Sequence, residues 1–341
     1  MTSRFLLLWA LIGGLCLNLS AQTSSVVREA ASEFQGIKTI KVDGQFCKIE
    51  LSGTDGATVS FAGKLISDKQ DEAYQLVNEV VNGTLSVAIK YPAQGWTTHS
   101  GEVTLKVPAG ITIDINTTSG TVKADNLVDA NFKALSRSGN LEIANSKGSV
   151  NLESITGVVK LSSCEGTLSA KSKSGNQFLT NLNGLINASS TEGDITLSQS
   201  KGSIVTESTS GKHSIDFHEG SVNAKSVNGS IKISEIKGDI NVISFAGPLK
   251  LFKTNGIVNL QTTAGEQVGT RVMLTGNSSF KSTEGKIRMQ IDNKTDEVTF
   301  MCKSATAFIQ ARGQSKKKTL KLGKGPIVIT SESTTGGQVY N

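Results

Sequence analysis

Glycines spaced nine residues apart constrain this chain more than any other feature. Fifteen of them follow one another without interruption from Gly139 to Gly265. In most units an apolar side chain follows two and four residues after the glycine, as in Gly229-Ser-Ile-Lys-Ile. This alternation is typical of a short strand with one buried face. Small polar residues precede a glycine that is able to adopt positive φ, so each nine-residue unit is predicted to be one strand and one turn.

Other positions recur every eighteen residues, which indicates that two units form one coil. The fourth position after glycine is large in one phase, at Ile143, Leu161, Leu179, Leu197, Ile215, Ile233 and Leu251. In the alternate nine-residue units, the residue at this position is small in the middle of the repeat, at Ala170, Ala188, Thr206 and Ala224. A hydroxyl residue recurs three positions before every second glycine, at Ser136, Ser154, Ser172, Ser190, Ser208, Ser226, Ser244 and Thr262. Facing columns of large and small side chains would interdigitate in a thin core.

We therefore predict an all-β fold, a parallel β-solenoid with about 18 residues per coil. Its hand should be right, since parallel crossovers almost always are. Equivalent side chains would stack one strand spacing apart, so residues 111–291 would form roughly ten coils and a rod of roughly 50 Å. An N-terminal β region should cover the open edge of the first coil.

The predicted organisation has four parts. Residues 1–21 are expected to be a signal peptide, with Arg4, an apolar run and cleavage after Ala21. Residues 22–110 form the N-terminal β cap region, residues 111–291 the solenoid, and residues 292–341 the C-terminal strands or cap. Within the N-terminal region, five alternating runs are predicted as strands, at 37–42, 46–51, 57–61, 85–91 and 102–107. Residues 67–81 are predicted as a short helix, with Ser67 and Gln70 as a capping pair.

Charge and cysteine content exclude several classes of function. The formal net charge is +6, and removal of Arg4 with the signal peptide leaves +5, which does not demand a nucleic-acid partner. No segment after the signal peptide is apolar enough to cross a membrane. Three cysteines remain, Cys47, Cys164 and Cys302, too far apart to predict a disulfide scaffold or a zinc site, and no cofactor is predicted.

A family resemblance rests on three groups of residues. They are the segment Ile-Lys-Val-Asp-Gly-Gln-Phe-Cys-Lys-Ile-Glu-Leu-Ser-Gly at 40–53, the segment Lys-Val-Pro-Ala-Gly at 106–110, and the repeated polar turns before glycine. These resemble the bacterial putative-adhesin family of β-strand-repeat domains, a family without an assigned function. The resemblance covers nearly the whole chain after residue 21 and implies export, a β-solenoid and an adhesin role. It provides no catalytic residues.

Two candidate binding surfaces emerge from the sequence. An outward asparagine column comprises Asn151, Asn187, Asn223, Asn241 and Asn259, interrupted at Ser169 and Val205. Its amides could hold a linear glycan by repeated hydrogen bonds, or could simply bond to one another and stiffen the sheet. Basic residues concentrate near the C-terminus, at Arg312, Lys316, Lys317, Lys318 and Lys321. They form either a polyanion-binding patch or a solvated hairpin loop.

Catalysis is not predicted, because the outward acids are scattered among coils. Glu153 and Glu207 would lie three coils apart, roughly 14 Å at the usual strand spacing, too far for a carboxylate pair. His213 and Gln177 interrupt an inward apolar column and could mark a polar pocket or a shift of register, whereas His218 is placed in a turn. For His213 the simplest interpretation is an imidazole that bonds to a turn carbonyl.

Three functions remain open at this point. The first is an exported, non-catalytic binding or adhesion module of the periplasm, the outer surface or the medium, with a glycan or an envelope protein as its partner. The second is a structural envelope spacer or a rod that assembles end to end. The third, a polysaccharide-active β-helix enzyme, would need acids that converge in one groove. The sequence does not define the oligomeric state.

Overall fold

The computed structural model describes residues 24–92 and 98–341, and it places them in one continuous β-architecture of 29 strands. The predicted signal peptide at 1–21 lies outside the described residues. Among the residues described, no helix is long and apolar enough to span a bilayer. The N-terminal strands are β1 (Ser25–Gln35), β2 (Thr39–Gln45), β3 (Lys48–Gly53), β4 (Thr58–Ser67), β5 (Gln75–Val81), β6 (Thr84–Lys90) and β7 (His99–Val107).

The central strands wind as a parallel solenoid, which confirms the predicted fold class. They are β8 (Thr112–Thr117), β9 (Val122–Asp125), β10 (Ala130–Ser136), β11 (Leu141–Ala144), β12 (Lys147–Ser154), β13 (Val159–Ser162), β14 (Glu165–Ser172), β15 (Gln177–Thr180), β16 (Asn183–Ser190), β17 (Ile195–Ser208), β18 (His213–Ser226), β19 (Ile231–Lys237), β20 (Ile240–Ser244), β21 (Leu249–Gly256), β22 (Val258–Thr262), β23 (Gln267–Leu274), β24 (Ser278–Ser282) and β25 (Ile287–Ile291). They make about ten turns of about 18 residues.

Each coil contributes one strand to each of two parallel sheets. The first sheet contains β8, β10, β12, β14 and β16, the second halves of β17 and β18, then β20, β22 and β24. The second sheet contains the strands between them, beginning with β9, β11, β13 and β15. Register is constant through the middle coils, with Val150 opposite Phe132 on one side and Leu168 on the other, so equivalent side chains superpose along the rod. It shifts between β23 and β25, after Gly269.

The core lies between the two sheets and is filled as the sequence predicts. Every large member of the column from Ile143 to Leu251 is buried, and so are the small residues of the other phase, Ala170, Ala188, Thr206 and Ala224. Each buried Leu or Ile contributes about 1.5–3 kcal/mol relative to an exposed one. Because the core is only two side chains thick, stability is spread along the rod rather than concentrated at one centre.

The predicted hydroxyl column lies at one corner of the coil, where most of its members are buried. The Oγ of Ser208 donates a hydrogen bond to the carbonyl of Gly211 at 2.8 Å, which closes the turn. The Oγ of Ser172 donates to that of Ser190, one coil away, at 3.2 Å. Hydroxyls of this column thus bond to a turn carbonyl and to the copy on the next coil.

In both glycine columns a Cβ would collide with the preceding coil, and positive φ adds a second reason in one of them. The column from Gly148 to Gly238 has φ values of 108–141°, which favour glycine. Gly193 and Gly229, in the other column, do not have positive φ, so that explanation of their turns is wrong. There the glycine is required because a Cβ would collide with the backbone of the preceding coil. At the corner before Gly148, the left-handed conformation is taken by a column of other residues, such as Asn145 and Asn181.

The N-terminal end differs from the sequence prediction in two elements, the first being β1, which was not among the predicted strands. The five predicted strands are present, but residues 67–81 do not form a helix. Residues 75–81 form β5, which pairs antiparallel with β6 through a turn at Asn82 and Gly83, both with positive φ (48° and 73°). An Asn-Gly pair between two apolar runs favours a tight hairpin. The hydroxyl of Ser67 accepts a bond from the amide of Lys69, so it caps a turn and not a helix.

Both ends of the solenoid are assembled out of chain order. At the N-terminal end, β2 and β3 lie between β6 and β7 on one side and β8 and β9 on the other, all parallel. Strands β1, β4 and β5 then cover this end with antiparallel pairing. The C-terminal strands are β26 (Val298–Ala311), β27 (Gln314–Leu322), β28 (Ile327–Ser333) and β29 (Gln338–Tyr340).

At the C-terminal end the last strands of the chain fill an interior position. Strands β28 and β29 pair in parallel with β24 and β25 on one side and with β26 on the other. Strand β27 then folds back antiparallel on β26 and forms the outermost edge. The buried side chain of Tyr340 packs against Phe280 and Phe300, which belong to the two flanking coils.

Candidate binding face

The asparagine column lies on the outward face of the first sheet, and part of it is internally bonded. Asn223, Asn241 and Asn259 occupy successive coils in register. The Nδ2 of Asn241 donates to the Oδ1 of Asn223 at 3.3 Å, and the Nδ2 of Asn259 donates to the Oδ1 of Asn241 at 3.0 Å. Asn151 and Asn187 lie on the same column but are separated from the run by Ser169 and Val205.

The asparagines that bond to one another keep some hydrogen-bond donors and acceptors free. An amide offers two N–H donors and an oxygen with two lone pairs. Asn241 uses one donor and one lone pair for its neighbours, so one of each remains for a ligand. The stiffening role considered from the sequence is therefore present, and it leaves outward-facing groups at the spacing of the strands.

A second outward column runs parallel to the asparagines, two residues further along each strand, and borders an open groove. In register it contains Ser189, Glu207, Lys225, Ile243 and Gln261. These residues and the adjacent corner enclose about 650 Å³. The other wall is formed by the corner residues Thr191, Thr209, Val227, Phe245 and Thr263.

This groove combines hydroxyl groups with exposed apolar side chains. Val227, Ile243 and Phe245 expose 45%, 49% and 59% of their surface and lie on two successive coils. Threonines occupy the corner position on the neighbouring coils. Lys225 forms an ion pair with Glu207 at 3.4 Å, so the charges at this level of the groove compensate one another.

The predicted basic patch is divided by the fold. The guanidinium of Arg312 donates to the carbonyls of Ile291 and Asn293 at 2.9 and 2.8 Å, so this residue stabilises the hairpin. The ammonium of Lys317 lies 4.9 Å from the ring centre of Phe308. Lys316 is exposed on β27 opposite Ile309. The five residues therefore do not form one patch.

Two of the basic residues instead join the face of the asparagines. Lys321 lies opposite Met301 in register, at the end of the asparagine column. Lys318 lines a second groove of about 640 Å³ with Lys281, Lys303 and Glu332. This second groove shares Gln261 with the first. The two surfaces identified from the sequence thus meet on one side of the rod.

His213 and Gln177, the polar residues that interrupt the inward column, form hydrogen bonds with hydroxyl groups at the corner of the coil. The ring nitrogens of His213 lie 2.9 Å from the hydroxyl of Thr206 and 2.7 Å from that of Ser208. The Nε2 of Gln177 donates to the hydroxyl of Ser172 at 2.9 Å and to a main-chain carbonyl on the next coil. The parallel register continues through both positions without a shift. The partners of His213 are hydroxyls, not the turn carbonyl expected from the sequence.

The same hydrogen bond, from an inward polar side chain to the corner hydroxyl, recurs along the rod. This recurrence is not predicted from the sequence. Gln267 bonds to Thr262 and Gln338 to Ser333, each five residues earlier at the buried hydroxyl corner. A polar residue exactly at this inward position, five after the hydroxyl residue, is the signal that could have revealed it. Burial lowers the pKa of His213 to about 4, so the imidazole is neutral near pH 7.

His218 is also buried, and it lies within β18 and not in the turn where the sequence places it. Its Nδ1 lies 2.9 Å from the hydroxyl of Ser200 on the preceding coil, and burial lowers its pKa. Neither histidine belongs to a metal centre: residues 24–92 and 98–341 contain no group of three His, Cys, Asp or Glu side chains suited to a metal. Cys47, Cys164 and Cys302 are buried free thiols, and burial raises their pKa, to about 12 for Cys47 and Cys302.

The outward acids lie apart, as their spacing predicts. Glu153 and Glu207 are separated by three register steps along the first sheet. Glu142 on the second sheet lies between Lys123 and Lys160 at 3.6 and 3.5 Å. Asp216 accepts hydrogen bonds from two serine hydroxyls, those of Ser214 and Ser234. These carboxylates stabilise the stack of coils.

Comparison with known proteins places the chain in a family. Three solved structures cover it broadly at 12% identity. They are a putative cell adhesion protein from Clostridium sporogenes (92% of this chain, 98% of that one, TM-score 0.24), a putative adhesin from Parabacteroides merdae (77% and 92%, 0.27) and a putative adhesin from Bacteroides fragilis (92% and 97%, 0.22). No curated protein matches the sequence. The family model described as Toastrack DUF4097 matches residues 39–241, more than half of the sequence, and the chain therefore belongs to the Toastrack DUF4097 family.

Proposed function

We propose that this protein is an exported, non-catalytic binding module of the adhesin class. In this proposal a glycan or an envelope protein lies along the outward face of the first sheet. The observation that carries the proposal is the alignment of amide, hydroxyl and charged side chains in columns that extend from Asn151 to Lys321. A ligand with a regular repeat could contact this face at many equivalent points.

Rigidity supports a binding role. The groups on this face project from hydrogen-bonded strands rather than from long loops, so little conformational entropy is lost when a partner binds. The corner bonds of Gln177, His213 and Gln267 hold the ends of these strands in place. Binding energy can then accumulate from many weak contacts.

Two observations count against the alternative functions. Glu153 and Glu207, three coils apart on the first sheet, do not offer the paired carboxylates that glycan hydrolysis requires. End-to-end assembly would need an edge strand open to pairing, but the outermost strand β27 carries Lys316, Lys317 and Lys318. Charged side chains on an edge strand, lysines above all, oppose edge-to-edge pairing.

The test has two parts. Protease treatment of intact cells should degrade the protein if it is displayed outside, while a periplasmic marker stays intact. Purified protein should bind envelope polysaccharide in a pull-down, and the triple change Asn187→Ala, Asn223→Ala and Asn241→Ala should abolish that binding.

A matched control separates binding from folding. The changes Thr196→Ala, Ser198→Ala and Ser214→Ala remove three neutral polar side chains from the second sheet and should leave binding intact. Equal binding by the two triple variants, or hydrolysis of the polysaccharide, would exclude the proposal.

A further inference from the structure

We infer that the corner groove from Ser172 to Lys318 is a binding site for a linear acidic polysaccharide. This inference rests on the proposed binding function and specifies the class of ligand and its location. The groove is distinct from the asparagine column, which lies beside it on the same sheet.

The groove has the length and continuity that a linear polymer requires. Its two parts share Gln261, and one wall follows a single column from Ser189 to Thr319. That column crosses the coils in register through Glu207, Lys225, Ile243, Gln261, Lys281, Glu332 and Lys303. Eight steps at the usual strand spacing give a path of roughly 38 Å. Small compact ligands would not use such a path.

The apolar section matches the non-polar face of a sugar ring. Val227, Ile243 and Phe245 form an exposed patch. The corner position that Phe245 occupies is held by threonine on other coils of the groove, such as Thr263, so the fold does not require an aromatic residue there. An exposed apolar patch in a polar groove indicates a contact surface. A pyranose ring could pack its C–H face on Phe245 while a hydroxyl bonds to Thr263 on the adjacent coil.

The second part of the groove is basic, which is the reason to expect a negatively charged ligand. Lys281, Lys303 and Lys318 line it, against the single carboxylate of Glu332. In the described parts of the chain, none of the three lysines forms an ion pair within 4.0 Å, in contrast to Lys225 with Glu207. Unpaired ammonium groups in a groove attract carboxylates, and the attraction weakens as salt increases.

A glycan fits this groove better than a nucleic acid. Single-stranded nucleic acids are held by a succession of aromatic side chains, each stacked on a base, and Phe245 is the aromatic residue that lines the two grooves. The walls instead present serine and threonine hydroxyls on most coils, which suit the hydroxyl-rich edge of a sugar chain.

The experiment is calorimetric titration of purified protein with polygalacturonate, alginate and hyaluronate, with neutral dextran as the uncharged probe. Binding of at least one acidic glycan but not of dextran is expected. The double change Lys281→Gln and Lys303→Gln should weaken binding about tenfold and reduce its salt dependence. Phe245→Thr, which introduces the residue of neighbouring coils, should also weaken binding but preserve the salt dependence.

The control is Lys232→Gln with Lys250→Gln, an equal charge change on the second sheet. Equal weakening by this control, absence of binding to all three acidic glycans, or tighter binding of single-stranded DNA would overturn the inference. If envelope polysaccharide still binds through the asparagine column while the groove variants have no effect, the groove inference fails and the proposed function stands. If neither set of variants alters capture, both fail.

Discussion

Substitution of one stacked glycine tests the physical basis of the solenoid. In Gly211→Ala, the added Cβ would lie 2.8 Å from the carbonyl carbon of Gly193, one coil away, and closer still to its oxygen. Real Cβ atoms essentially never come within 3.0 Å of such an atom. The obstructing atoms belong to the backbone, so a rotamer change cannot relieve the contact.

The cost follows from separating two coils. The carbonyl oxygen is the closer obstruction, so the coils must move apart locally by about 1 Å to bring the added Cβ beyond 3.0 Å from it. Three inter-coil hydrogen bonds near this corner would then exceed normal length: Thr209 N to Ser190 O (3.3 Å), Ser210 N to Thr191 O (2.9 Å) and Ile195 N to Lys212 O (2.8 Å). At about 0.5–1.5 kcal/mol each, their loss lowers the free energy of unfolding by about 3 kcal/mol.

Urea denaturation and hydrogen exchange measure this effect. Gly211→Ala should lower the urea midpoint and speed amide exchange in the coils on either side. The control is Gly56→Ala, where the nearest atom to the added Cβ is the Thr54 hydroxyl at 3.7 Å and φ is not positive. Its effect should stay within about 0.5 kcal/mol. If both variants have the same stability, close stacking does not explain this glycine column.

Three further predictions concern single residues. His213 has a folded pKa of about 4, below the ordinary histidine pKa of 6.5, so the unfolded chain binds a proton first and stability falls as pH drops from 6.5 to 4. The fall amounts to about 3 kcal/mol, and His213→Leu should remove that part of the pH dependence in urea titrations at pH 7 and 4.5. Cys47 and Cys302 should resist a thiol reagent at pH 8 until denaturant is added, because burial raises their pKa to about 12; rapid labelling of the native protein would contradict this. Asn241→Ala removes two exposed hydrogen bonds between asparagine side chains and should lower the free energy of unfolding by less than about 1 kcal/mol, measured by thermal unfolding. A larger loss would mean that the hydrogen-bonded run of asparagines is essential to folding.

The repeat made most of the solenoid predictable, because one spacing defines both the coil length and the register. Once Gly139 and Gly157 occupy the same corner, the inward or outward direction of every residue between them follows. The large and small core columns and the buried hydroxyl column were deduced in this way. What the spacing could not provide was the order of coils at the ends, where the glycine interval changes and pairing is not sequential.

The errors have local physical causes. In the segment 67–81 a capping pair mimics the start of a helix, but the Asn82-Gly83 pair favours a tight hairpin and a strand forms. For the basic cluster near the C-terminus, the sequence allows a patch or a hairpin loop; the cluster lies on the β26–β27 hairpin, where Lys317 and Lys318 have different surroundings. His213 and Gln177 were recognised as exceptions, yet their hydroxyl partners become visible only when the corner is closed in three dimensions.

The position of β28 and β29 has a consequence for how the molecule is made. A polypeptide is synthesised from its N-terminus, so residues 327–340 are made after the strands on both sides of them. Their place is between two coils that both precede them in the chain. The slot must therefore stay open, with unpaired strand edges on both sides, until the final residues have emerged. Without residues 327–340, the edges of β24, β25 and β26 would stay unpaired, and unpaired strand edges favour aggregation.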